Sequence, residues 1–224
     1  MKFGQKIAYA TIVVLMVSTM VVSQSVRVVA AEYGALPASA AETTPLRSGD
    51  RAPSFTVRTV DGEFYSFDPD KLERPTVLIS FRGGWCPYCN MHLSELRTVI
   101  PQIREADVDI LFLSNDPPEQ LYSSLKQETQ EDIAGLNYTI LSDSDIAAAR
   151  ALGTAFRIDA GVTDYLDRKD HDYSGSSIGK HNALAVPSVF VVDASGQIVY
   201  DFVNANYKIR ISADDLLAAA TRAR

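Results

Sequence analysis

Phe81-Arg82-Gly83-Gly84-Trp85-Cys86-Pro87-Tyr88-Cys89 is the stretch that decides the fold. It leaves the run Thr76-Val77-Leu78-Ile79-Ser80-Phe81, short, apolar and rich in β-branched and aromatic residues, which reads as a buried central strand. Two glycines follow, and a helix is expected to start near Cys86. Pro87 suits the first helical position, where a missing amide hydrogen costs nothing and φ is already set. Cys86 then faces unsatisfied N–H groups and the positive end of the helix dipole. Both favour the thiolate, which is the nucleophilic form. Cys89 falls on the first turn, within reach of the Cys86 sulfur. Met91, Leu93, Leu96, Val99, Ile100 and Ile103 continue at helical spacing, and Pro101 should kink or divide that helix.

Cys86 and Cys89 are the two cysteines of the chain. Three readings compete for them. A structural disulfide normally closes a longer loop, because the entropy it removes grows with loop length. A zinc site needs further ligands, and His92, His171 and His181 lack the spacing to supply them. A redox dithiol needs only this spacing at a helix start, and it is the favoured reading.

Outward from that centre, Phe55-Thr56-Val57 and Phe64-Tyr65-Ser66-Phe67 flank a turn at Asp61-Gly62 and predict a hairpin. Val108 to Leu113 is the next buried strand, and Pro117-Pro118 should open a polar helix running to about Gln130. Tyr138 to Leu141 is a third strand, with Asp143 or Ser144 capping a short helix toward Leu152. Ala160 to Asn182 is polar and contains glycine, and is expected to be an irregular insertion. Ser188–Val192 and Gln197–Phe202 around Ala194-Ser195-Gly196 predict a second hairpin. Ser212 and Asp215 form a capping pattern for a last helix. Alternating strands and helices closed by a hairpin and a helix indicate an α/β domain with a central mixed sheet, the order of a thioredoxin-like fold.

The N-terminus reads as a targeting segment: Lys2 and Lys6, an apolar run from Ile7 to Val22, and Val29-Ala30-Ala31 before Glu32. Residues 1–31 are expected to be a signal peptide. The alternative is an uncleaved anchor, since Ile7 to Val26 carries no charge and nearly spans a bilayer. In either case the rest of the chain lies outside the cytoplasm, in the periplasm or secreted, and meets a membrane only if the segment is retained. Residues 32–49, rich in Ala, Ser, Thr and Pro, are expected to be a flexible linker, and 50–224 the domain. The chain has 21 basic and 28 acidic residues, and three of the basic ones (Lys2, Lys6, Arg27) lie in the export segment, so the remainder is more acidic still. That balance argues against nucleic acid as a partner.

The run from Phe81 to Cys89 resembles the active-site segment of peroxiredoxin-like proteins, the alkyl hydroperoxide reductase/thiol-specific antioxidant group of the thioredoxin superfamily. Cys-Pro-Tyr-Cys also resembles the glutaredoxin dithiol. Val186-Pro187-Ser188-Val189-Phe190-Val191-Val192-Asp193 with Gly196-Gln197-Ile198 is similar to the family's strand after its cis-proline. The resemblance implies that Cys86 attacks and Cys89 resolves. It implies too that Pro187 is a cis-proline beside the dithiol, and that Trp85 shields the pair. Arg82 is read either as a stabiliser of the thiolate or as an exposed, ion-paired arginine, and Tyr88 either as a tuner of access or as a surface aromatic. Three positions depart from the family patterns. Peroxiredoxins proper carry a hydroxyl three residues before the attacking cysteine and a proline seven before it, where this chain has Gly83 and Ile79. Thioredoxins carry a buried aspartate where this chain has Ser80.

The leading functional reading is a dithiol–disulfide oxidoreductase, with no cofactor and no metal expected. The second is a peroxidase reducing hydroperoxides at Cys86. A thioredoxin-type thiol reductant is the implied partner. A third, of another class, is a metal-binding module using the soft thiolates.

Overall fold

The computed structural model describes residues 35–223. The expected export segment and residues 32–34 lie outside them. Seven strands form one mixed sheet: β1 (Phe55–Arg58), β2 (Phe64–Phe67), β3 (Thr76–Phe81), β4 (Asp109–Ser114), β5 (Thr139–Ser142), β8 (Ser188–Val192) and β9 (Ile198–Val203), in the order β2-β1-β5-β4-β3-β8-β9. The core strands β3, β4 and β5 run parallel, and the hairpins β1–β2 and β8–β9 add antiparallel strands at the two edges. All six residues of β3 are buried, because helices cover both faces of the sheet. Val77, Ile79 and Phe81 pack on one side, with α1 (Pro87–Leu96), α2 (Ile100–Glu105) and α7 (Ala213–Thr221). Leu78 packs on the other, with Leu111, Leu113, Phe190 and the short α4 (Ala147–Ala151). This is the expected mixed α/β sheet flanked by helices. Pro101 divides the helical run, as predicted, by opening α2 in its first turn. Asp143 caps the α4 end through its carboxylate, which accepts from the amides of Ala148 and Ala149.

Four expectations need correction. The part of the linker that is described, from residue 36 onward, is laid on the domain. Leu36 and Leu46 join the apolar clusters, the Leu46 amide donates to the Leu152 carbonyl, and Arg47 pairs with Asp201 at 2.9 Å. Two leucines in an otherwise small and polar stretch supply the anchoring area. The polar insertion is structured as well. A two-stranded ribbon, β6 (Ala155–Arg157) with β7 (Ala183–Ala185), closes its base, and it contains α5 (Ala160–Asp167) and α6 (Ser177–His181). Asp159 and Ser176 cap those helices by accepting from the amides of Gly161 and Ile178. Its polarity reflects a thin layer with few buried anchors, chiefly Ile158, Leu166, Ile178 and Leu184.

The helix expected from Pro117 to Gln130 is broken. A 3-10 turn at Pro118–Gln120 is followed by turns that bury Leu121 and Leu125, and only then by α3 (Gln127–Ile133). Finally, Pro187 is trans, since no peptide bond among the described residues is cis. The chain runs on in extended form from β7 into β8, with the Val186 amide donating to the Thr154 carbonyl, so Pro187 is a buried strand-starting proline.

His92, on α1, ties that helix to the segment before α7 by placing Nε2 3.2 Å from the Ile211 carbonyl oxygen. Burial, and after it the charge of Arg210, push its pKa down from 6.5 to about 4. Above pH 6.5 the ring is neutral folded and unfolded, so it contributes no pH dependence there. As the pH falls from 6.5 to 4 the unfolded chain takes the proton first and stability is lost. His92→Gln, which keeps a donor, should therefore lose about 3 kcal/mol less than the wild type over that interval in urea melts; parallel curves would refute the assignment.

Candidate active site

The site is built where β3 ends. Arg82, Gly83 and Gly84 turn the chain, Cys86 is the N-cap of α1 with extended backbone (φ −87°, ψ 116°), and Pro87 is the first helical residue. The double glycine is a packing requirement. Gly83 has φ +136°, and a Cβ there would collide with the Asp116 carboxylate and the Trp85 ring. A Cβ on Gly84 would meet Ser124. The turn is pinned by buried Asp116, whose Oδ2 accepts from the Gly84 amide at 2.7 Å and the Ser124 hydroxyl at 2.8 Å. Burial pushes the pKa of this carboxyl up. Buried Asn90 does the same for the helix start: its Nδ2 donates to the carbonyls of Gly84 and Cys86, and its Oδ1 accepts from the Lys126 amide.

Cys86 and Cys89 are both free thiols, each about 1% exposed. Their environments push them in opposite directions. A hydrogen bond from the Cys89 thiol, then the Arg82 guanidinium, the Cys89 amide and the Arg210 guanidinium together outweigh burial and hold Cys86 down, from 9.0 to about 6. Burial first, then its bond to Cys86 and the Cys86 charge, push the Cys89 thiol up. One sulfur is thus poised as a thiolate at neutral pH and the other as its proton donor.

Although nearly excluded from solvent, Cys86 forms part of the wall of a 450 Å³ cavity with Arg82, Trp85, Tyr88, Tyr165 and Tyr207, and α5 supplies its outer side. A larger cavity of 560 Å³, around Tyr65, Arg74 and Arg104, contains neither cysteine.

The other residues singled out in the sequence fall as follows. Arg82 is buried rather than exposed, its guanidinium 4.9 Å from the Trp85 ring centroid and 4.5 Å from that of Tyr207. Trp85 is half-buried, packs toward Tyr165 at 6.4 Å and walls the cavity beside Cys86. Tyr88 is half-buried and meets Tyr207 edge-on at 5.7 Å. Pro187 does not join the dithiol cavity; it lines a neighbouring one of 230 Å³ that shares Arg82 and Tyr207. Asn90, Asp116 and Arg210 were not found by sequence reasoning. Asp116 had a signal, standing just past the end of a parallel core strand where α/β sheets gather functional groups. Arg210 had none.

Arg82→Met removes a charge while keeping the aliphatic body between the rings. The midpoint of the pH profile for Cys86 alkylation by iodoacetamide should rise from about 6 toward the free-thiol value of about 8.5, and an unmoved midpoint would show that the guanidinium does not act on the sulfur.

With this geometry in place, comparison with known proteins gives a consistent answer. The profile of the AhpC/TSA family matches residues 48–201. Peroxiredoxin Bcp of Escherichia coli K12 is 31% identical over 109 residues, covering 49% of this chain and 65% of that protein, just under two thirds of its length. The thiol-disulfide oxidoreductase ResA of Halalkalibacterium halodurans is 26% identical over 113 residues, covering 50% of this chain and 60% of the relative. Reduced Prx3 of Vibrio vulnificus, solved in complex with H2O2, superposes with a TM-score of 0.59 at 18% identity, over 78% of this chain and 99% of that one, and shares the fold. With a family match over most of its length and the thioredoxin-like arrangement around Cys86, the chain belongs to the AhpC/TSA family.

Proposed function

We propose that this chain is an exported thiol–disulfide oxidoreductase that cycles Cys86 and Cys89 between dithiol and disulfide and is recharged by a thioredoxin-type thiol donor. The observation that carries the reading is the pair of sulfurs with opposed acidities at the start of α1. The Cys86 thiolate attacks a substrate sulfur and expels a thiolate, and Cys89 then displaces the substrate from the mixed disulfide. A cavity of 450 Å³ adjoins Cys86 and gives a substrate room beside the sulfur. Export is proposed on Lys2, Lys6 and the run Ile7 to Val22.

Hydroperoxide reduction at Cys86 is the second reading, favoured by the family and by the Bcp relative. There the thiolate attacks the peroxide oxygen, leaving a sulfenic acid that Cys89 condenses to the disulfide with loss of water. Against it stands Gly83. The position where peroxiredoxins carry a hydroxyl has a backbone and a neighbourhood that exclude a side chain. The metal-binding alternative finds less support, because no three His, Cys, Asp or Glu side chains cluster to hold an ion among the described residues.

Two rates on one sample of the reduced protein decide the ranking: reduction of a small disulfide, and consumption of a hydroperoxide with a thiol donor. Disulfide exchange should be the faster, and peroxide turnover far above it would reverse the order. Cys86→Ser should abolish both activities. Cys89→Ser should complete the first step and stall as a mixed disulfide visible by mass; turnover by Cys86→Ser would refute the nucleophile.

A further inference from the structure

The segment between β9 and α7 returns to the dithiol and delivers two side chains there. Tyr207 reaches Arg82 and Tyr88, and Arg210 reaches Cys89, with Nη2 3.7 Å from Sγ. The Arg210 side chain is otherwise poorly matched. Nη1 donates to the neighbouring Ile209 carbonyl, and Nε is buried with no hydrogen-bond partner. Leaving a charged donor so incompletely satisfied costs stability. It makes sense if the group's full partner is an anion that exists during only part of a cycle.

We infer that Arg210 is the counter-charge of the resolving sulfur: it holds Cys89 as a thiolate once Cys86 has been consumed, so that Arg82 and Arg210 serve the two sulfurs in turn. The inference rests on the dithiol reading above and deepens it. In the reduced protein Cys89 keeps its proton because it is buried, because it donates to Cys86, and because the Cys86 charge opposes a second one. After attack on a disulfide R–S–S–R′, Cys86 is bonded to the R sulfur and the negative charge has left with R′–S⁻. The hydrogen bond and the repulsion end together. What remains acting on Cys89 is burial, which favours the thiol, and Arg210 followed by a backbone hydrogen bond at Arg82, which favour the thiolate.

The Cys89 proton passes to the departing thiolate or to solvent. The Cys89 thiolate then attacks the Cys86 sulfur, forming the internal disulfide and expelling R–S⁻. With a sulfenic acid in place of the mixed disulfide, the same proton leaves with the displaced hydroxide as water. The groups that act on Cys89 are Cys86 from the cap, Arg210, and a backbone hydrogen bond at Arg82; His92 follows one turn along α1, and Lys208 lies over the Tyr88 ring on the segment that carries Arg210. His92 is neutral at pH 7, Arg82 stacks on two rings, and Lys208 lies over the Tyr88 and Tyr207 rings, so Arg210 is the guanidinium with a side-chain contact to the Cys89 sulfur.

The symmetric disulfide of nitrothiobenzoate tests this on the full chain, whatever the natural substrate. Attack by Cys86 releases one coloured thiolate, and resolution by Cys89 releases a second. Cys89→Ser marks the first release alone. In Arg210→Met the second release should slow at least tenfold at neutral pH, the loss of thiolate fraction expected for a shift of about one pKa unit. Its pH midpoint should rise, and the rate should recover at alkaline pH. The first release should change far less, and Arg210→Lys should restore most of the second. A second release in Arg210→Met that matches the wild type, or one slowed equally at every pH, would overturn the inference. Absence of any first release from the wild type would overturn the dithiol reading and this inference with it, whereas an intact first release followed by an unaltered second overturns this inference alone.

Discussion

The hydrogen bond from the Cys89 thiol to the Cys86 sulfur is the interaction on which the rest of the site depends. It is made almost entirely out of water, where a bond to a charged acceptor is strong and an unmatched charge is costly. Burial by itself would protonate both sulfurs. The bond, with Arg82 beside Cys86, reverses that for one of them and strengthens it for the other. One proton is therefore shared unequally, and the inequality gives two identical side chains opposed acidities.

Holding two sulfurs in that relation requires a rigid turn. Gly83 and Gly84 allow the chain to pass against Asp116, Trp85 and Ser124 more closely than any residue with a Cβ. Asp116 and Asn90 then fasten the turn and the helix start through buried hydrogen bonds to backbone groups. These bonds satisfy buried polar groups of the turn and the helix start that would otherwise be stranded. The same geometry that shapes the dithiol leaves no room for a side chain three residues before Cys86.

The insertion between β6 and β7 gives the site its walls. α5 places Val162 and Tyr165 across from Cys86 and Tyr88, and the segment before α7 brings Tyr207 and Arg210 from the other end of the chain. The sulfur thus borders a partly aromatic cavity and is almost excluded from solvent, which keeps its charge poorly hydrated.

Much of this was legible in the chain itself. The β3 run, the glycines, and Pro87 behind Cys86 are local signals, and local stereochemistry is enough to place a cysteine at a helix N-cap. The hairpins, the Pro101 break and the Ser212 cap are local for the same reason. Where anchoring was sparse, composition misled. Leu36 and Leu46 dock a stretch that reads as linker, and the caps Asp159 and Ser176 start helices in a stretch that reads as loop. The Pro187 peptide bond is trans, where the resemblance to the family implied cis. By itself the sequence determined the fold class and the pair of sulfurs, because both follow from short-range periodicity and backbone stereochemistry. Only the tertiary structure decided which groups set their charges: Arg210 lies 121 residues from Cys89 along the chain, and its electrostatic influence depends on distance in space, which no local pattern encodes.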